Sequence, residues 1–112
     1  MAVGVIQDFE GATLAQYDRM IEKMGFTEGI GAPDGVFHWV ARTGTGIRVV
    51  DVWTSRAAFQ KFAETQIGPL SQEIGVPTPT VTILEIHNIL VGPDDLGISI
   101  DLSEDQIKAL KR

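Results

Sequence analysis

Two strand-like runs on either side of a tight turn limit most strongly how this chain can fold. Val36–Arg42 and Ile47–Thr54 are rich in β-branched and aromatic residues, and the sequence Thr-Gly-Thr-Gly at 43–46 between them is typical of a short hairpin turn. Strands joined by such a turn pair antiparallel within one sheet. The sequence therefore predicts an antiparallel pair at the middle of the chain.

One strand and one helix precede the hairpin, and one helix and one strand follow it. The first helix begins with a capping box, because Thr13 lies three residues before Gln16. The second helix contains a proline, which has no backbone N–H to donate within a helix, so we expect a break at Gly68-Pro69. The predicted elements outside the hairpin are the strand Ala2–Phe9, the helix Thr13–Met24, the helical segments Ser55–Gln66 and Pro69–Ile74, and the strand Thr80–Leu90.

The order β-α-β-β-α-β is that of the ferredoxin-like α+β fold, in which two helices cover one face of an antiparallel sheet. The other face is also apolar, since the first hairpin strand puts Val36 and Val40 on one side and Phe37, Trp39 and Ala41 on the other. We therefore expect the uncovered face to pack on a second copy of the chain, which makes a homodimer. The alternative is that the C-terminal tail covers this face within one chain.

The domain organisation follows from this order of elements. We expect one domain of this fold over residues 1–92 and a C-terminal tail over 93–112 that contains a short strand and a short helix. The signals in the tail are the alternating Ile98, Ile100 and Leu102 and a capping box at Ser103 and Gln106.

Charge and composition exclude several classes of function. The chain carries 15 acidic and 9 basic residues, a net charge of -6, which disfavours a nucleic-acid partner. It has no cysteine, so disulfides and thiolate chemistry are absent and a cytoplasmic location is expected. The longest uncharged stretch, 74–84, is well short of the ~20 residues that cross a bilayer, so we expect no membrane partner.

The hairpin register predicts the main candidate site. If the turn centres on Gly44-Thr45, His38 lies opposite Asp51, and Val36 lies opposite Trp53 on the same face. A carboxylate beside an imidazole fixes its tautomer and raises its basicity, as a general base acting on a phenol or enol requires. The alternative is a structural pair that ties the two strands together.

Further side chains are candidates for ligand binding. Tyr17, Phe59 and Phe62 lie on the predicted helix faces toward the sheet and could line a pocket with Trp39 or Trp53, although such residues are often core. His87 is a second candidate. No zinc or dinucleotide spacing is present, so we expect neither metal nor cofactor.

Three segments resemble the dimeric α/β-barrel superfamily and, within it, proteins similar to antibiotic biosynthesis monooxygenases. They are GVFHWVA at 35–41, VVDVWTS at 49–55 followed by Ala58-Phe59, and IHNI at 86–89. The resemblance covers about residues 2–90. It implies two protomers with packed sheets and a pocket between sheet and helices in each one. It also implies a strand order in which the strands of His38 and His87 lie at opposite edges, about 14 Å apart at ~4.8 Å per strand, so the two histidines cannot share a metal ion within one protomer.

The superfamily also includes isomerases, haem-degrading enzymes and stress-related proteins, so the resemblance leaves the reaction open. Haem degraders resemble this chain at Trp53, but they also need a histidine on the second helix, and residues 55–75 contain none. Their strand-one asparagine is also missing, with Gln7 as the nearest amide, so we do not expect haem degradation. We therefore expect a cofactor-independent, monooxygenase-like enzyme for a small aromatic or phenolic substrate. The alternative is a non-catalytic dimeric protein that binds a ligand or is associated with a stress response.

Overall fold

The computed structural model describes residues 1–26 and 31–93, so the strand and helix expected in the tail lie outside the described residues. The four strands are β1 (Val3–Glu10), β2 (Gly35–Arg42), β3 (Gly46–Trp53) and β4 (Thr80–Glu85). The helices are α1 (Leu14–Met24), α2 (Arg56–Phe62) and α3 (Gly68–Ile74), with a π-helical turn over Ala63–Ile67 between the last two.

The strands form one sheet in the order β2-β3-β1-β4, and every neighbouring pair is antiparallel. The helices lie between β1 and β2 and between β3 and β4 in the chain. This is the ferredoxin-like α+β fold that the sequence predicts, with the hairpin strand β2 at one edge and β4 at the other.

One face of the sheet packs against the helices. Alternate residues of β1 and β3 are buried there, because side chains two apart in a strand share a face. The core joins these to Met20 of α1, Phe59 of α2 and Ile67 of the π-helical turn. The buried apolar strand residues are Val3, Val5, Phe9, Ile47, Val49 and Trp53.

Both predicted helix starts are confirmed by their caps. The Thr13 hydroxyl accepts a hydrogen bond from the Gln16 N–H, and the Gln16 side chain accepts one from the Thr13 N–H. The Ser55 hydroxyl accepts from the N–H of Ala58 at the start of α2. At the other end of α1, Gly25 takes a left-handed conformation with φ 82°, which glycine adopts without a Cβ clash.

The expected break at Gly68-Pro69 is wrong, because helical conformation continues from α2 into α3. Gly68 keeps helical angles of φ -60° and ψ -57°, and its N–H bonds to the carbonyl of Ala63, five residues earlier. A π-helical turn is wider than an α-helical one and shifts the hydrogen-bond ladder by one residue. The missing N–H of Pro69 is thus accommodated within a continuous helix.

Two further expectations differ from the structure at strand ends. The fourth strand stops at Glu85 instead of Leu90, because its partner β1 begins at Val3 and the last bond runs from the Ile86 N–H to the Ala2 carbonyl. In the hairpin, an irregularity between Gly35 and Phe37 puts Gly35 opposite Trp53, where Val36 was expected. This is the local effect of a β-bulge, which adds one residue to a strand.

The sheet face away from the helices is apolar, and no described element covers it. It presents Phe37 and Trp39 from β2 and Leu84 from β4, with exposed fractions of 42%, 45% and 57%. Val50 and Val52 of β3 share this face, since they alternate with the buried residues. We call this surface, with Ile6 of β1, the open sheet face.

Candidate functional site

A buried carboxylate lies at the centre of the candidate site. Asp51 is on β3, between β2 and β1, and is only 5% exposed. Its Oδ2 accepts hydrogen bonds from Trp53 Nε1 at 3.2 Å and from Gln7 Nε2 at 3.4 Å. Burying a carboxylate is costly unless hydrogen bonds compensate for lost water, and these two donors supply part of that compensation.

His38 completes the shell of donors around Asp51. The two residues are opposite each other in the β2–β3 register, as the sequence predicts, and His38 Nδ1 lies 2.5 Å from Asp51 Oδ1. A carboxylate only accepts hydrogen bonds, so Nδ1 carries the proton and Nε2 carries the lone pair when His38 is neutral. The His38 side chain remains 42% exposed while Asp51 is buried, so the pair reaches from the core to the surface.

Tyr17 of α1 meets the free nitrogen of His38. Its hydroxyl lies 2.5 Å from His38 Nε2, and the two rings are nearly parallel, with 11° between their planes. Because Nε2 has the lone pair, the Tyr17 O–H donates to it. Asp51, His38 and Tyr17 therefore form one hydrogen-bonded chain, which we call the Asp51–His38–Tyr17 chain.

The Tyr17 hydroxyl is held in its neutral form. Its pKa is raised to about 12, first because burial disfavours a phenolate and then because the charges of Asp51 and Asp18 repel it. Tyr17 is thus a hydroxyl donor near neutral pH. A proton can leave its oxygen only as another arrives or toward a base that is already bonded to it.

The sequence analysis placed Tyr17 near the site but missed its contact with His38. The position of α1 over the edge of the sheet decides that contact, and helical periodicity alone does not give it. Gln7 had a detectable signal: Val3, Val5 and Phe9 share its face of β1 and are buried, so a polar side chain among them needs a partner. That partner is Asp51.

Three of the predicted aromatic residues form a cluster on the core side of Asp51. Trp53 and Phe59 are only 4% and 3% exposed, and their rings meet edge to face with centroids 5.8 Å apart. Phe62 is partly buried, with its ring centroid 5.0 Å from that of Trp53. Trp53 thus contacts Asp51 from the core side, and a role in ligand binding for these three residues stays a prediction.

His87 lies away from the Asp51–His38–Tyr17 chain. It follows β4 at the opposite edge of the sheet from β2 and is exposed. The expected separation of the two histidines is therefore confirmed, whereas a binding role for His87 stays a prediction. Within residues 1–26 and 31–93, no group of three or more acidic or histidine side chains is arranged to hold a metal ion.

An open groove lies elsewhere, along α3 and the segment that follows it. Its volume is about 390 Å³, and none of its lining residues belongs to the Asp51–His38–Tyr17 chain. The lining residues are Ile67, Gly68, Pro69, Ser71, Gln72, Val76, Thr78 and Pro79. Among the helices that the structure describes, none has the length and apolarity needed to cross a membrane.

Comparison with known proteins assigns neither a family nor an activity to this chain. No family model and no curated protein matches the chain. A solved structure from Deinococcus radiodurans, provisionally assigned as an antibiotic biosynthesis monooxygenase, is similar over 83% of this chain and 99% of its own, with 12% sequence identity and a TM-score of 0.49. Values this low transfer no activity, so the ferredoxin-like fold rests on the strand order and pairing of this chain itself.

Proposed function

We propose that this protein is a small-molecule enzyme in which the His38–Asp51 pair removes a proton from an acidic hydroxyl of a small aromatic or phenolic substrate. The observation that carries this proposal is the buried carboxylate bonded to an imidazole that is itself 42% exposed at the surface. Asp51 orients His38 and stabilises the imidazolium that forms when His38 takes up a proton. Trp53 holds the second oxygen of Asp51 and so fixes the carboxylate.

The reaction that fits this base is monooxygenase-like and needs no bound cofactor in our proposal. Loss of a proton makes a phenol or enol electron-rich, which is the state in which such a molecule is oxidised by dioxygen. The protein's contribution is then to bind the substrate, remove the proton and shield the anion from water.

A homodimer is the assembly we propose. The open sheet face exposes Phe37, Trp39 and Leu84 together, which is unusual for a monomer. Two copies packed through this face would bury it on both sides of a two-fold axis. The Asp51–His38–Tyr17 chain lies on the other face, so the assembly leaves it accessible.

Oxygen uptake in the presence of 1,5-dihydroxynaphthalene tests the proposed enzyme. The wild type should consume oxygen above the rate of the substrate alone, and His38→Gln should reduce that rate by about 100-fold or more, the usual contribution of a general base. Glu85→Gln is the control, since it changes an exposed side chain on β4 at the opposite edge of the sheet and should leave the rate unchanged. Equal rates for His38→Gln and the wild type would contradict the proposal.

One observation favours a second candidate, a non-catalytic ligand-binding module. Among the described residues, every buried side-chain nitrogen and oxygen has a hydrogen-bond partner, which is also what a purely structural pair would show. In that case His38→Gln should lower the unfolding temperature, and no oxygen uptake should be found with the wild type.

A further inference from the structure

Neither nitrogen of His38 is open to a substrate in this structure. Nδ1 is bonded to Asp51 Oδ1 and Nε2 to the Tyr17 hydroxyl, each at 2.5 Å. A substrate hydroxyl that is to lose its proton to His38 must either displace Tyr17 or act through it. The geometry of the chain distinguishes these two routes.

The Tyr17 oxygen can accept a hydrogen bond while it donates one. A phenolic hydroxyl has one proton and two lone pairs, and only the proton is used in the bond to His38. Tyr17 is half-buried, and its oxygen already lies within hydrogen-bond distance of His38 Nε2. No side chain has to move for a proton to pass along this line.

We propose that the Tyr17 hydroxyl is the group that meets the substrate's acidic O–H and relays its proton to His38. This inference rests on the proposed function. The substrate O–H bond breaks as a new O–H bond forms at Tyr17, while the original Tyr17 proton leaves to form an N–H bond at His38 Nε2. The products are a substrate oxyanion, a neutral Tyr17 and an imidazolium paired with Asp51, so atoms and charge balance.

The relay makes Tyr17 a catalytic residue with two tasks. Before transfer its hydroxyl donates to His38, and after transfer it donates to the substrate oxyanion. Hydrogen bonds to charged groups are about twice as strong as neutral ones, so the second bond stabilises the deprotonated substrate. The raised pKa of Tyr17 agrees with this, because the hydroxyl keeps a proton in both states.

Binding of 4-nitrophenol tests the relay, because its phenolate absorbs at a longer wavelength than its phenol. Below the solution pKa of the probe, the bound fraction in the wild type should show the phenolate band. Tyr17→Phe should lower the ratio of phenolate to phenol by about tenfold or more, since a hydrogen bond to the anion is lost. His38→Gln should abolish the band, and Glu85→Gln, an exposed position on β4 at the opposite edge of the sheet, should leave it unchanged.

Two results would overturn different parts of the argument. If Tyr17→Phe keeps or increases the phenolate band while His38→Gln abolishes it, Tyr17 is only a cover over His38; the relay is then wrong and the proposed function stands. If the wild type shows no phenolate band, the proposed function fails, and the relay fails with it.

A second measurement does not depend on the Tyr17→Phe variant folding. Tyr17 is the only tyrosine in the chain, so biosynthetic replacement by 3-fluorotyrosine changes this residue alone. A more acidic hydroxyl binds the oxyanion more strongly, so the relay predicts a larger phenolate fraction. If Tyr17 only covers His38, the more acidic hydroxyl holds Nε2 more tightly, and the phenolate fraction falls.

Discussion

The position of the proton on each residue of the site is set by that residue's hydrogen-bond partners. Asp51 receives three N–H donors, from His38, Trp53 and Gln7, and this arrangement fixes the tautomer of His38. The tautomer in turn requires Tyr17 to donate to Nε2. The buried carboxylate of Asp51 therefore determines where the protons lie along the Asp51–His38–Tyr17 chain.

The ionisation of Tyr17 should make the protein less stable at alkaline pH. The folded protein raises the pKa of Tyr17 to about 12, against 10.0 for a tyrosine free in water. Above pH 10 an unfolded chain loses this proton while the folded one keeps it, so the free energy of unfolding falls as pH rises toward about 12. Urea unfolding at a series of pH values measures this decline.

Tyr17→Phe is the control for that measurement, because it removes the titrating group and should remove its part of the decline. The absorbance of the phenolate reports Tyr17 directly, since the chain has no other tyrosine. A phenolate that appears near pH 10 in the folded protein would contradict the prediction.

Asp51→Asn should destabilise the protein and change the tautomer of His38. An amide has a single acceptor oxygen, so its NH₂ group must face one of the three donors around Asp51. We expect a loss of about 1–3 kcal/mol in the free energy of unfolding. Asp18→Asn is the matched control at an exposed position, with an expected change within about 0.5 kcal/mol.

Nitrogen chemical shifts of the imidazole show the second effect of Asp51→Asn. In the wild type the proton should be on Nδ1 of His38, whereas in the variant it should move to Nε2 if the amide NH₂ faces the ring. An unchanged unfolding free energy together with an unchanged tautomer would show that Asp51 does not organise the site.

At the scale of elements, the hairpin holds the site in register. His38 and Asp51 face each other because Thr43 and Gly46 close a short turn, with a bond of 2.8 Å from the Thr43 N–H to the Gly46 carbonyl. A slip of one residue would turn His38 to the open sheet face and separate it from Asp51. The turn therefore decides whether the site exists.

Gly46→Ala should destabilise the hairpin, whereas Gly44→Ala should not. A Cβ on Gly46 would collide with the backbone carbonyl of Phe9, which cannot move aside as a flexible side chain can. We expect a loss of about 1–3 kcal/mol for Gly46→Ala. At Gly44 a Cβ meets nothing within 4 Å, so the change should stay within about 0.5 kcal/mol. Chemical unfolding of both variants makes the comparison, and equal stabilities would contradict it.

At the scale of the whole molecule, the sheet has two apolar faces, and the helices among the described residues cover only one of them. The helix face carries the site, and the open sheet face carries Phe37, Trp39 and Leu84. If two copies meet through the open sheet face, the sheets lie back to back and the two sites point outward. Assembly and chemistry then use opposite sides of one four-stranded sheet.

Trp39→Glu should weaken the proposed dimer. A carboxylate within an apolar interface would be buried without a partner, and we expect the dissociation constant to rise by about thirtyfold or more. Leu14→Glu is the matched control: Leu14 is 40% exposed, close to the 45% of Trp39, but lies on α1. Sedimentation of the two variants and the wild type over a range of concentrations measures the effect, and a monomeric wild type would contradict the assembly.

Local signals predicted those parts of the molecule that depend on neighbouring residues. The turn at 43–46 gave the His38–Asp51 register, and the side chains of Thr13 and Ser55 gave the helix starts. The end of β4 was wrong, because it depends on where β1 begins, far away in the chain. The contact of Tyr17 with His38 was missed for the same reason, since it depends on how α1 packs on the sheet.

The hydrogen bonds of Asp51 and His38 draw on three strands and one helix: Gln7 from β1, His38 from β2 and Trp53 from β3 bond to Asp51, and Tyr17 from α1 bonds to His38. A fragment that lacks one of these elements cannot form the Asp51–His38–Tyr17 chain. Its chemistry should therefore disappear in the same cooperative transition as the native state, and a phenol bound there would act as a reporter of folding. Any ligand that binds only to the assembled Asp51–His38–Tyr17 chain would also raise the unfolding temperature. The rise would grow with the ratio of the ligand concentration to its dissociation constant.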